Sequence, residues 1–430
     1  MVSTIEHPPQ KNAAARILLL QGPVGPFFES LHKTFIASGF EVKRVLYNSA
    51  DKLFAFKQGI VRFSGDEQDW ESWLRTEFKC NKPDIVVFFG SSRPAHKIAR
   101  KLAPEFGIET VSLEEGYLRS GYITCEIGGN NQHSPLCDWN LSDQSHGKPL
   151  PPLDIRSSFL MMCLWAAIYY LWRGIFKLPN DTCLYHRQTN SLLKEAFAWT
   201  TNTVRRFFAK QSEASTINQL CTRLSGKYLL IPLQTPSDSQ LKMAARGWNN
   251  KKLVEQSLLA LKKNKSNQLL VFKTHPLDTQ VPVIERFINR LAQQHHCARQ
   301  VIILHSGSIS ELTKHSSGMV VINSTSGFSA LHHNVPLLVL GEAVYRHASI
   351  ATIGDSAHAI SEFFKLRSAK DQKTVNKFIE TVKACALLPG DFYILQGRQL
   401  AAQAITKKIA TVIQRNPLVA EQRNKSSVET

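Results

Sequence analysis

Two successive series of short apolar runs, separated by amphipathic stretches, constrain the fold of this chain more than any other feature. The first series has runs at 16–21, 41–47, 84–89 and 109–113, and the second has runs at 228–233, 269–273, 301–305, 319–323 and 336–340. Helical patterns lie between them, for example at 28–38, 95–103, 253–263 and 283–294. Strands that alternate with helices indicate a parallel sheet covered on both faces. The sequence therefore predicts the α/β class with two Rossmann-like domains.

The domain boundaries are predicted from the place where the second series begins. A chain of 430 residues exceeds the usual size of a single hydrophobic core. We expect a disordered N-terminus at 1–15, Rossmann-like domains at 16–225 and 226–395, a helix at 396–415 and a flexible tail at 416–430. A helical insertion is expected in the first domain at about 150–215. Two such domains facing each other across a cleft make the GT-B-like plan of many nucleotide-sugar transferases, which is an analogy of architecture alone.

The charge and cysteine content narrow the classes of partner and site. The 52 Lys and Arg against 34 Asp and Glu give a net charge of +18, which favours an anionic partner such as nucleic acid, a phospholipid surface or a nucleotide-activated acidic sugar. Because the basic residues are scattered and no nucleic-acid-binding module is recognisable, nucleic acid is disfavoured. The eight cysteines form no C-x-x-C pair, and the first 15 residues lack the apolar core of a signal peptide. Reduced thiols, no metal site and a cytoplasmic location are therefore expected.

An uncharged segment at 159–172 complicates the prediction of a purely soluble protein. It is too short to span a bilayer, which needs about 20 residues. Trp165, Tyr169 and Trp172 lie at helical spacing between basic flanks. This pattern is consistent with a helix in the membrane interface, with its aromatic rings at headgroup depth. A helix buried between domains is the alternative, and the sequence does not separate the two.

Two loops of the first half contain candidate binding residues. The first strand ends in Q-G-P-V-G-P-F-F, where Gly22 and Gly25 permit a close backbone approach, although a tight turn before a helix explains them equally well. The loop is not a dinucleotide fingerprint, because the third glycine is missing. The fourth strand runs into Glu114 and Glu115 and then Arg119. Crowding of the two carboxylates would raise the pKa of one toward the range of a general base, and a pair of surface charges is the alternative.

Three loops of the second half contain candidate catalytic residues. Asp238 follows Gln234 after the first strand of this half, where it could attack an anomeric carbon or cap the next helix. Lys273 and His275 end the next strand, and Pro276 holds His275 extended, so this pair could neutralise a departing phosphate. A third loop offers hydroxyl groups and backbone N–H groups at a helix N-terminus, which is a typical anion site. Its residues are Asn323, Ser324, Thr325, Ser326 and Gly327.

Five segments in this order resemble the KpsS/LipB family of capsule polysaccharide proteins. They are Q-G-P-x-G-P-F-F at 21–28, E-E-G-Y-L-R at 114–119, Q-T-P-S-D-S-Q at 234–240, T-H-P-L-D at 274–278 and N-S-T-S-G-F-S-A-L at 323–331. The resemblance implies a retaining β-Kdo glycosyltransferase that takes Kdo from CMP-β-Kdo and needs no metal or other cofactor. It implies an acceptor, phosphatidylglycerol or lysophosphatidylglycerol, at the inner membrane of a Gram-negative cell, where the enzyme would initiate a poly-Kdo linker. A KpsC-like Kdo transferase and the capsule ABC exporter are the implied partners.

The resemblance also implies roles for single residues. Asp238 matches the aspartate proposed as the nucleophile, and His275 matches the H-P histidine near the CMP phosphate. On the donor side it adds Gln234, Lys273, Pro276 and the loop 323–327. On the acceptor side it adds Gly22, Gly25, Arg119 and either Glu114 or Glu115 as the base.

The acceptor side departs from the family pattern. Arg119 is followed by Ser-Gly where the family often has proline, and Cys125 stands where an aliphatic residue is common. Two other functions stay open at this point. One is a transferase for CMP-sialic acid, which is also a CMP-linked keto-acid sugar, and the other is a non-catalytic capsule export or assembly factor.

Overall fold

The computed structural model describes residues 14–118, 121–142, 147–155, 157–176, 192–236, 238–265 and 267–415, with the backbone alone at 192–200. The chain forms two compact units. The first unit contains Met1–Gly128, Pro151–Tyr185 and Leu388–Thr430, and the second contains Gly129–Leu150 and His186–Leu387.

The helices and strands alternate along the chain as the sequence predicts. Up to residue 176 they are β1 (Arg16–Leu19), α1 (Phe27–Ala37), β2 (Glu41–Leu46), α2 (Ser49–Leu53), β3 (Ile60–Arg62), α3 (Asp69–Cys80), β4 (Ile85–Phe89), α4 (Pro94–Leu102), β5 (Glu109–Glu115), β6 (Tyr122–Ile127) and α5 (Phe159–Ile175). From residue 192 they are α6 (Leu192–Ser212), α7 (Ala214–Cys221), β7 (Tyr228–Pro232), α8 (Ser239–Met243), α9 (Asn250–Lys263), β8 (Leu269–Lys273), α10 (Val281–Gln294), β9 (Val301–Leu304), α11 (Ile309–Lys314), β10 (Gly318–Val321), α12 (Gly327–His332), β11 (Leu337–Val339), β12 (Thr352–Ile353), α13 (Ala357–Lys365), α14 (Gln372–Cys385), β13 (Leu387–Pro389) and α15 (Leu395–Arg415). Short 3₁₀ helices lie at Ala103–Phe106, Asn131–His133, Pro135–Asp138 and Ala298–Gln300.

The first unit is built on a seven-stranded sheet in the order β13-β6-β5-β4-β1-β2-β3. Its central strands pair in parallel, and β6 pairs antiparallel with β5. Alternate residues of β1 enter different cores, because successive side chains of a strand point to opposite faces. Ile17 and Leu19 pack in one core, and Leu18 and Leu20 pack in the other. Both faces of this sheet are therefore covered.

The second unit is built on a six-stranded sheet in the order β12-β11-β10-β7-β8-β9. The pairs that flank β7 and β8 are parallel, as are those of β11 with its neighbours. Leu229, Ile231 and Leu233 of the β7 segment anchor its core. The predicted α/β class with two Rossmann-like halves is confirmed.

The chain crosses between the units more often than the predicted boundaries allow. Strand β13 lies beside β6 at the edge of the first sheet. Helix α15 packs in the core that contains α1, where Ala401, Ile405 and Ile409 are buried. Residues 388–415 therefore join the first unit rather than ending or following the second. Helices α6 and α7, which the sequence assigns to the first domain, belong to the second unit.

Candidate functional site

Three of the predicted loops leave neighbouring parallel strands of the second sheet. Strand β7 lies between β10 and β8 and pairs in parallel with both. The carboxyl ends of these strands therefore lie at the same edge, where ligands of open α/β sheets bind. The loops that begin at Leu233, Thr274 and Ile322 start at that edge.

The side chain of Gln234 joins two of these loops. Its Nε2 donates to Asn323 Oδ1 at 2.9 Å and lies 3.4 Å from Asp238 Oδ2. Asn323 in turn donates from Nδ2 to the carbonyl of Gln240 at 3.0 Å. The backbone of Gln234 is fixed by Asn250, whose Oδ1 accepts from its N–H at 3.2 Å and whose Nδ2 donates to its carbonyl at 2.6 Å. Gln234, Asp238 and Asn323 are thus brought together as a rigid polar group.

Asp238 is the N-cap of α8. Its backbone is extended, and Oδ1 accepts from the N–H of Gln240 at 2.9 Å. The predicted capping function is therefore confirmed. The carboxylate is partly exposed at the sheet edge, so a nucleophilic function stays a prediction.

The loop before α12 differs from the anion site predicted for it. The N–H groups of Gly327, Phe328 and Ser329 donate to the carbonyls of Ser324, Thr325 and Ser326 at 2.9–3.1 Å. These N–H groups are already satisfied, so the expectation that they are free to bind a phosphate is wrong. The side-chain hydroxyls are better placed than these N–H groups to contact an anion, since Ser324 Oγ and Ser326 Oγ lie 2.7 Å apart and are half-buried.

Packing rather than ligand approach explains Gly327. A Cβ at this position would lie 2.5 Å from the ring of Tyr345. The hydroxyl of Tyr345 donates to the carbonyl of Ser324, which holds the loop against the same ring. Tyr345 therefore fixes both ends of the turn that presents the three hydroxyl residues.

The loop after β8 holds His275 in a defined tautomer. The N–H of Leu277 donates to His275 Nδ1 at 3.1 Å, so the proton of the neutral ring lies on Nε2. The carbonyl of Pro276 accepts from Asn202 Nδ2 at 3.0 Å, which ties the loop to α6. His275 is half-buried, and Nε2 is the ring nitrogen that donates in this tautomer.

Lys273 ends β8 with only 6% of its side chain exposed. Its Nζ donates to the carbonyl of Thr274 at 3.3 Å. Burial lowers the pKa of Lys273 to about 8, against the opposing attraction of Glu213, and the positive charge of Arg206 lowers it further. Lys273 is therefore mostly charged at neutral pH and in a poorly solvated position.

Sequence reasoning missed a second group at this edge, which comes from the C-terminal part of α6. The carboxylate of Glu213 accepts from the N–H of His305 at 3.0 Å and from the N–H and hydroxyl of Ser306 at 2.8 and 2.7 Å. His305 Nδ1 lies 2.9 Å from Thr274 Oγ1, and its Nε2 lies 3.1 Å from Glu285 Oε1. The spacing of polar residues along one face of α6 is a signal for this group, but the sequence pattern assigns the helix to the first domain.

The two glycines predicted to face an acceptor are explained by packing within the first unit. A Cβ at Gly22 would lie 2.4 Å from the ring of Phe28. Gly25 has φ +97°, and a Cβ there would lie 2.8 Å from the ring of Trp165. The alternative that the loop is a tight structural turn therefore accounts for both residues.

Glu114 and Glu115 do not crowd each other as expected. Both lie in β5, where they pair with Thr124 and Ile123 of β6. Adjacent strand residues point to opposite faces of a sheet, so the proposed repulsion between the two carboxylates is not supported. Glu115 Oε1 accepts from the hydroxyl of Tyr393 at 2.7 Å. Arg119, the third residue predicted on this side, lies outside the described residues.

Helix α5 turns its aromatic residues inward. Tyr169 is 3% exposed, and its hydroxyl lies 2.9 Å from Gln21 Nε2, Asn48 Nδ2 and Asp51 Oδ1. Trp165 donates from Nε1 to the carbonyl of Tyr393 at 3.0 Å. The prediction that Trp165 and Tyr169 lie at headgroup depth is therefore wrong, because both are needed for packing within the unit.

The outward face of α5 is aliphatic instead. Trp172 is half-buried and packs on Phe176, with ring centroids 4.3 Å apart. The most exposed large apolar residues of the helix are Leu160, Leu164, Leu171 and Ile175, at 80%, 49%, 54% and 68%. Within the described part of the chain, no helix is both long and apolar enough to cross a membrane.

The described residues contain no cluster of three or more His, Cys, Asp or Glu side chains arranged to hold a metal ion. The candidate residues of the second unit lie at the carboxyl ends of β7, β8, β9 and β10. In the first unit, the candidate residues Glu114 and Glu115 lie in β5.

Comparison with known proteins identifies the family. Residues 84–393 match the model of the capsule polysaccharide biosynthesis protein family. The chain is 28% identical over 365 residues to the Escherichia coli capsule polysaccharide export protein KpsS, which covers 84% of this chain and 93% of the relative. It is 29% identical over 398 residues to the capsule polysaccharide modification protein LipB of Neisseria meningitidis serogroup A, with 89% and 92% covered.

Among solved structures, a Thermosulfurimonas dismutans KpsC β-Kdo 2,7-transferase aligns at 13% identity and a TM-score of 0.41, over 91% of this chain and 99% of that one. The family match covers most of the chain, including the loops after β5, β7, β8 and β10. The chain therefore belongs to the capsule polysaccharide biosynthesis protein family.

Proposed function

We propose that this chain is a retaining β-Kdo transferase that moves Kdo from CMP-β-Kdo to phosphatidylglycerol or lysophosphatidylglycerol and so starts the poly-Kdo linker of a capsular polysaccharide. The observation that carries the proposal is the side chain of Gln234, which contacts both Asp238 and Asn323. This contact sets the candidate nucleophile beside the hydroxyl loop at one sheet edge. The match to the capsule polysaccharide biosynthesis family and the similarity to the capsule polysaccharide proteins KpsS and LipB support the biological setting.

The donor half of the reaction follows from the side chains at this edge. Asp238 would attack the anomeric carbon of Kdo, and the bond from that carbon to the phosphate oxygen would break, so that CMP leaves with the electron pair. His275, protonated on Nε2, would donate a hydrogen bond to the departing phosphate. The product of this step is a Kdo ester of Asp238.

The second half of the reaction regenerates the carboxylate. A hydroxyl of the lipid would attack the same anomeric carbon, the ester bond to Asp238 would break, and the proton of the hydroxyl would pass to a base. Glu114 and Glu115 are the candidates for that base. Two inversions give net retention. The scheme requires no metal and no cofactor.

Product analysis tests the proposal directly. The full chain is incubated with lysophosphatidylglycerol and with CMP-Kdo generated in place, and the lipid product is weighed by mass spectrometry and its anomeric configuration is determined by NMR. We expect one added Kdo in the β configuration. A parallel reaction with CMP-sialic acid in place of CMP-Kdo tests the alternative that the chain is a sialic acid transferase. Absence of product with CMP-Kdo, in a protein that unfolds cooperatively on heating, would contradict the proposal.

A lipid acceptor also requires a means of reaching the membrane. The proposed surface is the outward face of α5, defined here as Leu160, Leu164, Leu171 and Ile175, and its proposed partner is a bilayer rich in phosphatidylglycerol. An exposed aliphatic face on a chain of net charge +18 fits an anionic bilayer, because apolar insertion and charge attraction act together. At that membrane a KpsC-like transferase and the ABC exporter would act next.

Liposome flotation tests this surface. Replacing Leu160, Leu164 and Leu171 together by Ser should release the protein from phosphatidylglycerol vesicles with little change in unfolding temperature, since these side chains are exposed. Leu366→Ser is the matched control, because Leu366 is 84% exposed and lies in the other unit. Equal flotation of the triple variant and the wild type would show that α5 does not contact the membrane.

A further inference from the structure

The segment between β13 and α15, called here the 391–393 turn, is held in place by its own contacts. Asp391 Oδ1 accepts from the N–H groups of Tyr393 and Ile394 at 2.7 and 2.9 Å. A Cβ at Gly397 would lie 2.5 Å from the Cβ of Asp391, so the first turn of α15 packs directly on Asp391. Asp391 and Tyr393 are 7% and 5% exposed. The turn therefore presents its side chains from a fixed and buried backbone.

Helix α5 holds the 391–393 turn at two points. The hydroxyl of Ser158, at the start of α5, donates to Asp391 Oδ2 at 2.6 Å. Trp165 Nε1 donates to the carbonyl of Tyr393 at 3.0 Å. The two donor residues are seven positions apart, which is about two helical turns, so they lie on the same side of α5. The position of the turn therefore depends on the position of α5.

The side chain of Tyr393 extends from this turn to the end of β5. Its hydroxyl donates to Glu115 Oε1 at 2.7 Å. The carbonyl of Glu115 accepts from Thr124 Oγ1 of β6 at 3.0 Å. The backbone of Glu115 is thus held by the neighbouring strand, and its side chain is held by Tyr393. A general base needs such a fixed position, because it must lie within hydrogen-bond reach of the proton that it takes.

A second tyrosine–glutamate pair in the first unit provides a structural comparison. Tyr117 donates to Glu126 Oε2, also at 2.7 Å, and these two residues are 2% and 3% exposed. Glu115 is instead half-buried and is the last residue of β5, at the edge where ligands of open α/β sheets bind. Tyr393 therefore orients a carboxyl group at the ligand-binding edge of the sheet rather than one inside the core.

We propose that Glu115 is the base for the acceptor hydroxyl and that Tyr393 is its positioning residue. Ser158 and Trp165 hold Tyr393 in place, so α5 connects its outward face to the base. This inference rests on the proposed function for the reaction itself. As the acceptor oxygen bonds to the anomeric carbon and the ester bond to Asp238 breaks, the hydroxyl proton passes to Glu115. The earlier step, in which CMP leaves, requires no base, and Tyr393 therefore acts on the second half of the reaction alone.

Tyr393→Phe tests the positioning role, because it removes the hydroxyl and keeps the ring in the core. The full chain is given lysophosphatidylglycerol and CMP-Kdo generated in place, and mass spectrometry follows both the lipid product and the Kdo adduct on the chain. Loss of a hydrogen bond to a charged group corresponds to about a 10- to 100-fold change. We expect product formation to slow by this factor and the adduct to accumulate, since only transfer to the acceptor is impaired.

Tyr228→Phe is the matched control. Tyr228 is fully buried, and its hydroxyl donates to the carbonyl of Leu312 in the second unit. Tyr228 begins β7 and so lies at the opposite end of that strand from the candidate loop. This variant loses the same buried hydroxyl group and should form product at the wild-type rate.

The hold of α5 on the turn is tested by Trp165→Phe, which keeps a ring beside Phe54 and removes the Nε1 donor. We expect the same pattern with a smaller slowing of product formation, about 2- to 10-fold, because the lost hydrogen bond joins neutral groups. Trp73→Phe is the control, since Trp73 packs against the core on the other face of the sheet. Product formation by Trp165→Phe at the wild-type rate would show that α5 does not position Tyr393.

Three results would overturn the inference. One is product formation by Tyr393→Phe at the wild-type rate, and another is an equal slowing of adduct and product formation, which indicates a general structural loss. The third is product formation at the wild-type rate by Glu115→Gln, which should form the adduct and fail to transfer it. Failure of the proposed function is a different result, namely absence of lipid product from the wild-type chain.

Discussion

Replacement of Asp238 by Asn separates the two functions that this residue can have. As the N-cap of α8, Asp238 accepts from the N–H of Gln240 through Oδ1 at 2.9 Å. Asn retains an oxygen in the same place, and Asn and Asp are nearly equal as N-caps. If Asp238 is the nucleophile, its replacement by Asn removes the attacking carboxylate, because an amide does not form the ester intermediate.

The expected magnitudes are far apart. The cap belongs to a helix of five residues, so the substitution should cost at most about 1 kcal/mol of unfolding free energy. In a unit of roughly 200 residues that corresponds to a shift of about 2–4 °C in unfolding temperature. Removal of a nucleophile should instead lower kcat by on the order of 10³-fold or more.

The matched control is Asp371→Asn. Asp371 is the N-cap of α14 and accepts from the N–H and hydroxyl of Thr374, both at 2.8 Å. The Asp371→Asn substitution makes the same chemical change at a cap that follows none of the candidate loops. Kdo transfer by this variant should therefore stay at the wild-type rate. Intact-protein mass spectrometry of the wild type with donor should show one Kdo adduct on the peptide that contains Asp238. Transfer by Asp238→Asn at the wild-type rate, or an adduct on another peptide, would refute the reasoning.

Two further expectations concern the first unit. Gly25→Ala should destabilise the protein by about 1–3 kcal/mol more than Gly39→Ala in urea denaturation. Both glycines have positive φ, but only the new methyl at 25 meets a side chain, that of Trp165. Equal losses of stability in the two variants would show that the ring of Trp165 moves aside freely. His32 is buried, and burial together with the charge of Arg44 lowers its pKa to about 4. As the pH falls, the unfolded state therefore binds a proton at this histidine before the folded state does. The free energy of unfolding should then fall by up to about 1.4 kcal/mol per pH unit as the pH is lowered from 6.5 toward 4. His32→Leu should flatten this acid dependence, and an unchanged slope would contradict the assignment.

The repeated strand and helix pattern was sufficient to predict most of the two sheets. Runs at 16–21 and 84–89 become β1 and β4, since continuous apolar residues can serve both faces of a covered sheet. The same pattern did not predict that β13 and α15 return to the first unit. That return depends on burial of Ala401, Ile405 and Ile409 in the core with α1. Such a contact joins distant parts of the chain and leaves no local periodic signal.

The candidate site shows a similar division. Residues in loops directly after strands were predicted because parallel topology brings those loops to one edge. Glu213 was not predicted, because a helix contributes to a site through the face it presents, and that face depends on where the helix packs. The prediction that Trp165 and Tyr169 lie in the membrane interface was wrong for the same reason. Their spacing correctly indicates one helical face, but it does not say whether lipid or protein covers it.

The capping function of Asp238 is compatible with the nucleophilic function proposed for it, and the contacts of its two oxygens explain why. Oδ1 is held by the N–H of Gln240, while Oδ2 lies at a longer 3.4 Å from Gln234 Nε2. The cap uses Oδ1 and so restricts the rotation of the group, and Oδ2 takes no part in the cap. A cap at the end of a parallel strand is therefore a means of orienting a nucleophile, and evidence for the cap does not weigh against the nucleophile.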